Sequence, residues 1–364
     1  SLLESAIGDD CVVVVGSGPC GAMAAARLVE RGITVVLLDA GTRAARGAIV
    51  RAAGNTVFRK MDQSLIVDDR HDVDAKPPVE WYSSLSLGGL SNFWTAAVPR
   101  FAPEDFEEGS VLDERYAWPI TYDELVPYYE LAEDALVVTA GPPFPNFPAN
   151  RARFDHRLPS DWEQLAERAR SRGLYLGTLP MAKGEPWMAT GRGTEFDSYH
   201  CIIAPLLQSA RFRLVSGAHV TRLTWSQATG RVEAVEYVDR PTRLRTNLRC
   251  RAVVVAAGAI DSTALLLRST SSDFPNGLGN SAGLIGRYLH DHPKDWWPAT
   301  SEVALTSLAH PAYLSRGAYD PETPLMATSL TIGLAKRSQR IGTYVRAKSA
   351  SLGVQVFGTM IPRP

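Results

Sequence analysis

Residues 11–41, CVVVVGSGPCGAMAAARLVERGITVVLLDAG, leave few folds open to this chain. Cys11 to Val15 is a short, unbroken, mostly β-branched apolar run, as a parallel strand buried on both faces requires. It runs into Gly16, Gly18 and Gly21, spaced G-x-G-x-x-G. The first glycine permits a tight turn. The second has no Cβ, so its backbone can approach a phosphate. The third lets the following helix lie close on the sheet. Pro19 suits a first helical position, where its missing N–H costs nothing. Ala22, Ala24, Ala25 and Ala26 keep that helix slim, and Gly32 is a stop signal. Ile33 to Leu38 reads as a second strand with Asp39 at its carboxyl end. The helix N-terminus offers N–H groups and partial positive charge to an anion. A carboxylate at Asp39 accepts from ribose hydroxyls and repels a 2′-phosphate. The unit therefore predicts a bound FAD or NAD rather than NADP.

The remaining composition excludes more than it selects. The net charge is −1, read as having no basic or acidic block, which gives no reason to expect nucleic acid or an anionic membrane surface. No run of about 18 apolar residues suggests a membrane span, and no secretory signal pattern opens the chain, so a cytoplasmic location is expected. Cys11, Cys20, Cys201 and Cys250 lack any C-x-x-C spacing. Cys11 and Cys250 flank apolar strands and read as small core residues. There is no G-x-S-x-G, no Walker A sequence and no HExxH. His290 and His292 in LHDHP make a poor metal site on their own, so no metal is expected.

Along the chain, residues 42–80 are polar and irregular. Residues 116–138 look helical, with a capping box at Thr121 and Glu124 and a break expected at Pro127. A second capping box is expected at Ser160 and Glu163, opening a helix that Gly173 ends. Four strands follow, Phe212–Val215, His219–Trp225, Arg231–Asp239 and Leu244–Leu248, read together as a meander with a turn at residues 228–230. Residues 251–269, RAVVVAAGAIDSTALLLRS, then repeat the pattern of buried strand, glycine turn at Gly258, and helix. The nucleotide-binding sheet is thus left after its opening unit and regained some two hundred residues later. The segment 81–101, WYSSLSLGGLSNFWTAAVPRF, joins Gly88 and Gly89 to the short polar Ser91 and Asn92 and the flat Phe93 and Trp94. Its chemistry fits equally a ring system such as isoalloxazine or an aromatic loop packed on its own domain.

Taken in order, VVVVGSGPCGAMAAARL with LLDAG, SLGGLSNFWTAAVPRF, WPITYDELVPYYELAE, GAHVTRL, VVVAAGAIDSTALLL and LIGRYLHDHP resemble the glucose–methanol–choline (GMC) family of FAD-dependent oxidoreductases. The pattern is nearest to the bacterial pyranose-oxidase-like, glycoside-oxidising branch. The resemblance implies an α/β fold, with a discontinuous Rossmann-type FAD-binding domain (8–60, 81–100 and 205–293) and a substrate or cap domain rich in antiparallel strands (101–204 and 294–364). It implies that Gly16, Gly18, Pro19 and Gly21 hold the FAD pyrophosphate, and Asp39 with Ala40 the adenosine ribose. Gly88, Gly89, Ser91, Asn92 and Trp94 would lie along the flavin side. Val220 would offer backbone groups to the adenine, and Ala257, Gly258 and Ala259 would pack near the pyrophosphate or ribose. Asp291 and His292 would approach the flavin ring or its ribityl chain. Phe93 stands where related enzymes carry a flavin-linked histidine, which implies non-covalent FAD.

The family's catalytic histidine is expected beyond Pro364, leaving His292 as a weak candidate base. The implied activity is oxidation of a sugar, glycoside or polyol CH–OH to a carbonyl, with hydride passing to flavin N5 and electrons on to oxygen or another acceptor. A homo-oligomer or a separate C-terminal polypeptide would fit the same picture. The alternatives are an NAD-dependent dehydrogenase and a non-catalytic FAD-binding fragment.

Overall fold

The computed structural model describes residues 10–44, 66–67, 83–92, 94, 96–114, 117–143, 148–155, 157–173, 175–182, 196–289, 294–301, 313–315, 329–334 and 350–357. The chain divides into two units: Ser1–Thr95 with Glu195–Tyr288, and Ala96–Thr194 with Leu289–Arg363. These boundaries differ from the expected ones at three joints, near residues 96, 195 and 289, and local bonding explains the first two. Residues 96–100 belong to the second unit because Ala97 bridges Met181 and Arg100 pairs with Glu133. Residues 195–204 belong to the first because Ser198 bonds Ser17.

The first unit is built on a four-stranded parallel sheet. Strand β1 (Val12–Val15) is followed by helix α1 (Pro19–Glu30) and strand β2 (Val35–Asp39). Strand β3 (Phe212–Ser216) pairs in parallel with β2 and carries Ser216 alongside Asp39. The expected four-strand meander is therefore corrected, because its first member belongs to the nucleotide-binding sheet. Gly217, at φ +76, is the hinge. It turns the chain out of the parallel sheet into an antiparallel meander of β4 (Ala218–Ser226), β5 (Arg231–Asp239) and β6 (Arg245–Arg249). Strand β7 (Ala252–Val255) then pairs with β1, giving the sheet order β3-β2-β1-β7, and helix α2 (Ala259–Arg268) follows.

Period-two alternation splits the parallel strands between two faces. Cys11, Val13, Val15, Val36 and Leu38 cluster with Val220, Leu223, Val235, Tyr237 and Leu248 of the meander, which fixes the core. Fully burying one such side chain is worth about 1.5–3 kcal/mol, so the register is strongly specified. Gly21, Ala22 and Ala25 form the buried face of α1, which they supply without bulk. Cys11 and Cys250 lie in this core, and burial pushes the Cys250 thiol up to about 12.

The second unit contains a five-stranded antiparallel sheet in the order Lys294–Ser301, Ala350–Phe357, Ser329–Leu334, Tyr313–Ser315, Gly177–Thr178. Helix Tyr122–Leu136 starts at the expected capping box. Glu124 accepts from the Thr121 N–H at 2.8 Å, and Thr121 Oγ1 accepts from the Glu124 N–H at 3.3 Å. Pro127 does not break it. The proline and Asp123, whose carbonyl loses its partner, are both exposed, so water can satisfy that oxygen. The box at Ser160 and Glu163 does not form. Ser160 is the first helical residue, not the cap, and the Glu163 N–H donates to the Pro159 carbonyl. Gly173 does end that region, at φ +77.

Charge is less even than the net value suggests. Residues 103–134, spanning helices Pro103–Leu112 and Tyr122–Leu136, hold eleven acidic residues and one arginine, which corrects the expectation of no acidic block. Within that unit Arg100 and Glu133 form a buried bidentate pair at 2.7 and 2.6 Å. Among the described residues no helix is long and apolar enough to cross a membrane, and no group of three or more His, Cys, Asp or Glu could hold a metal ion.

Candidate FAD cradle

The three fingerprint glycines divide by physical cause. A Cβ on Gly16, at φ +102, would lie 2.4 Å from the Ala256 carbonyl oxygen. A Cβ on Gly21 would lie 2.0 Å from the Gly16 carbonyl oxygen. Protein packing alone therefore forbids a side chain at both. Gly18 differs: its φ is −60 and nothing lies within 4 Å of the position a Cβ would take. The fold tolerates a side chain there, so the open space in front of Gly18 is room for a ligand. Gly89 faces similar room, with only Gly18 atoms within 4 Å of its own Cβ position, the nearest 3.7 Å away. Two glycine turns thus stand against each other with open space beside them. Pro19 opens α1 directly behind Gly18, no acidic residue occupies the first turn, and the helix N-terminus is left to an anion.

Asp39 is tied to the first of these turns through Ser17. Its Oδ2 accepts from the Ser17 N–H at 2.8 Å and the Ser17 hydroxyl at 2.6 Å, and its Oδ1 accepts from the Gly41 N–H at 2.7 Å. Burial is the largest influence on its carboxyl and raises the pKa above the ordinary value of 3.8; the bonds from Ser17 and Gly41 oppose that rise. The carboxylate is held rigidly, with acceptor capacity left over. Ala40 follows it, its carbonyl accepting from Arg240 at 2.9 Å.

Segment 83–92 brings the second glycine turn to the first. Ser91 is buried, and its hydroxyl donates to the Gly88 carbonyl at 2.6 Å. The Asn92 amide nitrogen donates to Ser86 Oγ, Leu87 O and Gly89 O, each at 2.9 Å. Trp94 Nε1 donates to the Phe196 carbonyl at 2.9 Å, with the two rings edge to face. These polar atoms are committed to shaping the turn. Ala257 and Gly258 stand at the carboxyl end of β7. The Ala257 N–H donates to Ser262 Oγ at 3.0 Å, and nothing fills the space in front of Gly258. Val220 sits beside a bulge in β4, where the ladder skips Thr221, and its side chain enters the core. Phe93, His290, Asp291 and His292 lie outside the described residues.

Sequence reasoning missed Ser17 and Ser198. Every polar group of Ser17 is used inside the protein: N–H and hydroxyl to Asp39, Oγ also accepting from the Gly88 N–H at 2.8 Å, and carbonyl to Ser198. A serine set between Gly16 and Gly18 of the fingerprint was the available signal. Ser198 had no local signal at all. The residues present fit FAD: an anion-ready helix start, a carboxylate at the ribose position of the βαβ unit, and a glycine, Gly18, where neither the backbone conformation nor packing demands one.

Comparisons agree with that geometry. Residues 167–294 match the family model described as GMC oxidoreductase, and residues 10–63 match that of an FAD binding domain. Paromamine 6'-oxidase of Streptomyces fradiae is 30% identical over 292 residues, covering 76% of this chain and 53% of that protein. The 6'''-hydroxyparomomycin C oxidase of Streptomyces lividus is 31% identical over 334 residues, covering 85% and 59%. The chain thus spans between half and three-fifths of the length of these relatives. The crystal structure of pyridoxine 4-oxidase from Mesorbium loti superposes with a TM-score of 0.63 at 20% identity, covering 95% of this chain and 71% of that one, which shows a shared fold. The chain carries a GMC oxidoreductase family domain together with an FAD-binding domain, and its cofactor is FAD.

Proposed function

We propose that this chain takes part in the FAD-dependent oxidation of a CH–OH group of a sugar, glycoside or other polyol to a carbonyl. The observation that carries the reading is the paired glycine turn at Gly18 and Gly89, open where a ligand needs room and anchored to Asp39. The names of the two Streptomyces relatives support an amino-sugar-containing glycoside as the substrate class. FAD, when bound, supplies the hydride acceptor. The chain's own residues do the holding: α1 faces its N-terminus to the pyrophosphate, Asp39 accepts from the ribose, and the Gly88–Asn92 turn shapes the flavin side. Electrons then pass to oxygen or another acceptor. The FAD is non-covalent on this reading, the location cytoplasmic, and substrate protons go to a base outside the described residues.

Anaerobic mixing of the FAD-loaded protein with sugars, aminoglycosides and simple polyols tests this. Bleaching of the flavin band by at least one CH–OH compound is expected. If the loaded protein stays yellow with all of them, the oxidase reading fails. The second reading is a protein that binds FAD but reacts only with a further polypeptide. It predicts bleaching only after that polypeptide is added back. The NAD-dependent alternative is set aside by the FAD-binding match over residues 10–63.

A further inference from the structure

We infer that Ser198 is a positioning residue for FAD: its hydroxyl locks the two glycine turns of the cradle into register without touching the ligand. The inference rests on the cofactor assignment and is independent of the oxidation chemistry.

Four residues from three distant segments close a ring of hydrogen bonds. Ser17 Oγ accepts from the Gly88 N–H at 2.8 Å. The Gly88 carbonyl accepts from the Ser91 hydroxyl at 2.6 Å. Ser91 Oγ accepts from the Ser198 N–H at 3.0 Å, and the Ser198 hydroxyl donates to the Ser17 carbonyl at 2.8 Å. A hydroxyl has one proton, and this assignment gives each hydroxyl one donation and each acceptor a donor. The Gly88 carbonyl at 3.2 Å and Ser91 Oγ at 3.1 Å lie within reach of Ser198 Oγ as secondary partners. Such chains polarise one another, so removing one member weakens the rest.

Ser198 is fully buried, so it does not contact a ligand itself. What it governs is spacing. Ser17 lies between Gly16 and Gly18, and Gly88 adjoins Gly89. The open faces of Gly18 and Gly89 are therefore set by bonds one residue away. Ser198 is itself anchored, because the neighbouring Asp197 accepts from the His200 N–H at 2.9 Å and from His200 Nδ1 at 2.9 Å, at the start of the π-helical turn Tyr199–Ile203. Tyr199 in turn lies 3.3 Å from where a Gly88 Cβ would be, so this segment backs the second glycine turn directly.

A buried serine can equally be a plain structural tie, and the same unit offers one for comparison. Ser269 is just as buried, donates to the Leu265 carbonyl at 2.7 Å and accepts from the Leu223 N–H at 2.9 Å. It joins the end of α2 to β4, away from both glycine turns. Ser198→Ala and Ser269→Ala thus remove comparable bonding with different consequences for the cofactor.

The test is FAD titration of the apo full chain, read by flavin fluorescence and by visible-band circular dichroism of the bound flavin. Ser198→Ala is expected to raise the FAD Kd at least tenfold and to alter the flavin dichroism, while Ser269→Ala keeps Kd within about twofold of the parent at a similar melting point. Ser91→Ala, which removes the adjoining ring member, is expected to shift Kd in the same direction. Equal FAD affinity in Ser198→Ala and the parent overturns the inference, as does equal weakening in both serine variants. If Ser198→Ala and Ser91→Ala fail to fold while Ser269→Ala folds, the ring serves folding and the inference is likewise overturned.

Discussion

Replacing Ser17 by alanine removes two hydrogen bonds with one atom, and their worth follows from the geometry. The Ser17 hydroxyl donates to Asp39 at 2.6 Å, a charge-assisted bond worth about 1.5–3 kcal/mol. The same oxygen accepts from the Gly88 N–H in a buried setting, and stranding that donor costs about 1–3 kcal/mol. The sum, near the middle of both ranges and reduced for relaxation, is about 3 kcal/mol, or about a hundredfold in the folding equilibrium. A unit of this size should melt about 6–12 °C lower. A pH dependence follows from Asp39. Its folded pKa is raised above the ordinary 3.8, so the native state binds more proton than the unfolded chain between those values. Its contribution to stability therefore falls as pH rises through that window, and the deficit is complete above the folded pKa. Losing the Ser17 hydroxyl removes an influence that lowers this pKa and so deepens the deficit. Urea unfolding of Ser17→Ala should show a larger loss at about pH 7.5 than at about pH 4.5. A loss below about 1 kcal/mol, or one independent of pH, would refute the coupling of Ser17, Gly88 and Asp39.

Further outcomes separate packing from ligand binding. Gly16→Ala should fail to fold, because its Cβ meets the Ala256 carbonyl. Gly18→Ala should fold as well as the parent yet bind FAD at least tenfold more weakly; circular dichroism with FAD titration compares them. In the second unit, Arg100→Ala or Glu133→Ala each leaves a buried charge unpaired and should cost about 3–5 kcal/mol in chemical denaturation. The double variant with apolar residues at both positions should be less destabilised than either single one. A thiol reagent should modify the exposed Cys20 and Cys201 quickly in native protein and leave Cys11 and Cys250 unmodified until unfolding, because both are buried and the Cys250 thiol is pushed up to about 12.

The cradle was legible in the sequence wherever function depends on local chain order. Gly16, Gly18, Gly21 and Asp39 act within one βαβ-type unit, and Gly258 within a second strand–turn–helix, so local spacing exposes them. What sequence could not expose was pairing at a distance. Phe212–Ser216 has the same apolar look whether it joins a meander or a parallel sheet, and only Gly217 hints at the switch. Pro127 was overruled because it and Asp123, whose carbonyl loses its partner, are both exposed. Ser198 bonds a residue 181 positions away and is chemically an ordinary serine, so no periodicity or motif marks it. The acidic stretch at residues 103–134 was present in the composition but averaged out by basic residues elsewhere.

The central claim is that Gly18, Gly89 and Asp39 frame a site for FAD. The most direct measurement is to supply FAD to the apo full chain, remove excess, denature the protein and identify what enters the supernatant by mass and absorbance. The account predicts FAD, stoichiometric with the chain, and a colourless protein pellet, with Gly18→Ala retaining far less. A chain that retains no flavin after loading, or a Gly18→Ala variant that retains as much as the parent, would contradict it.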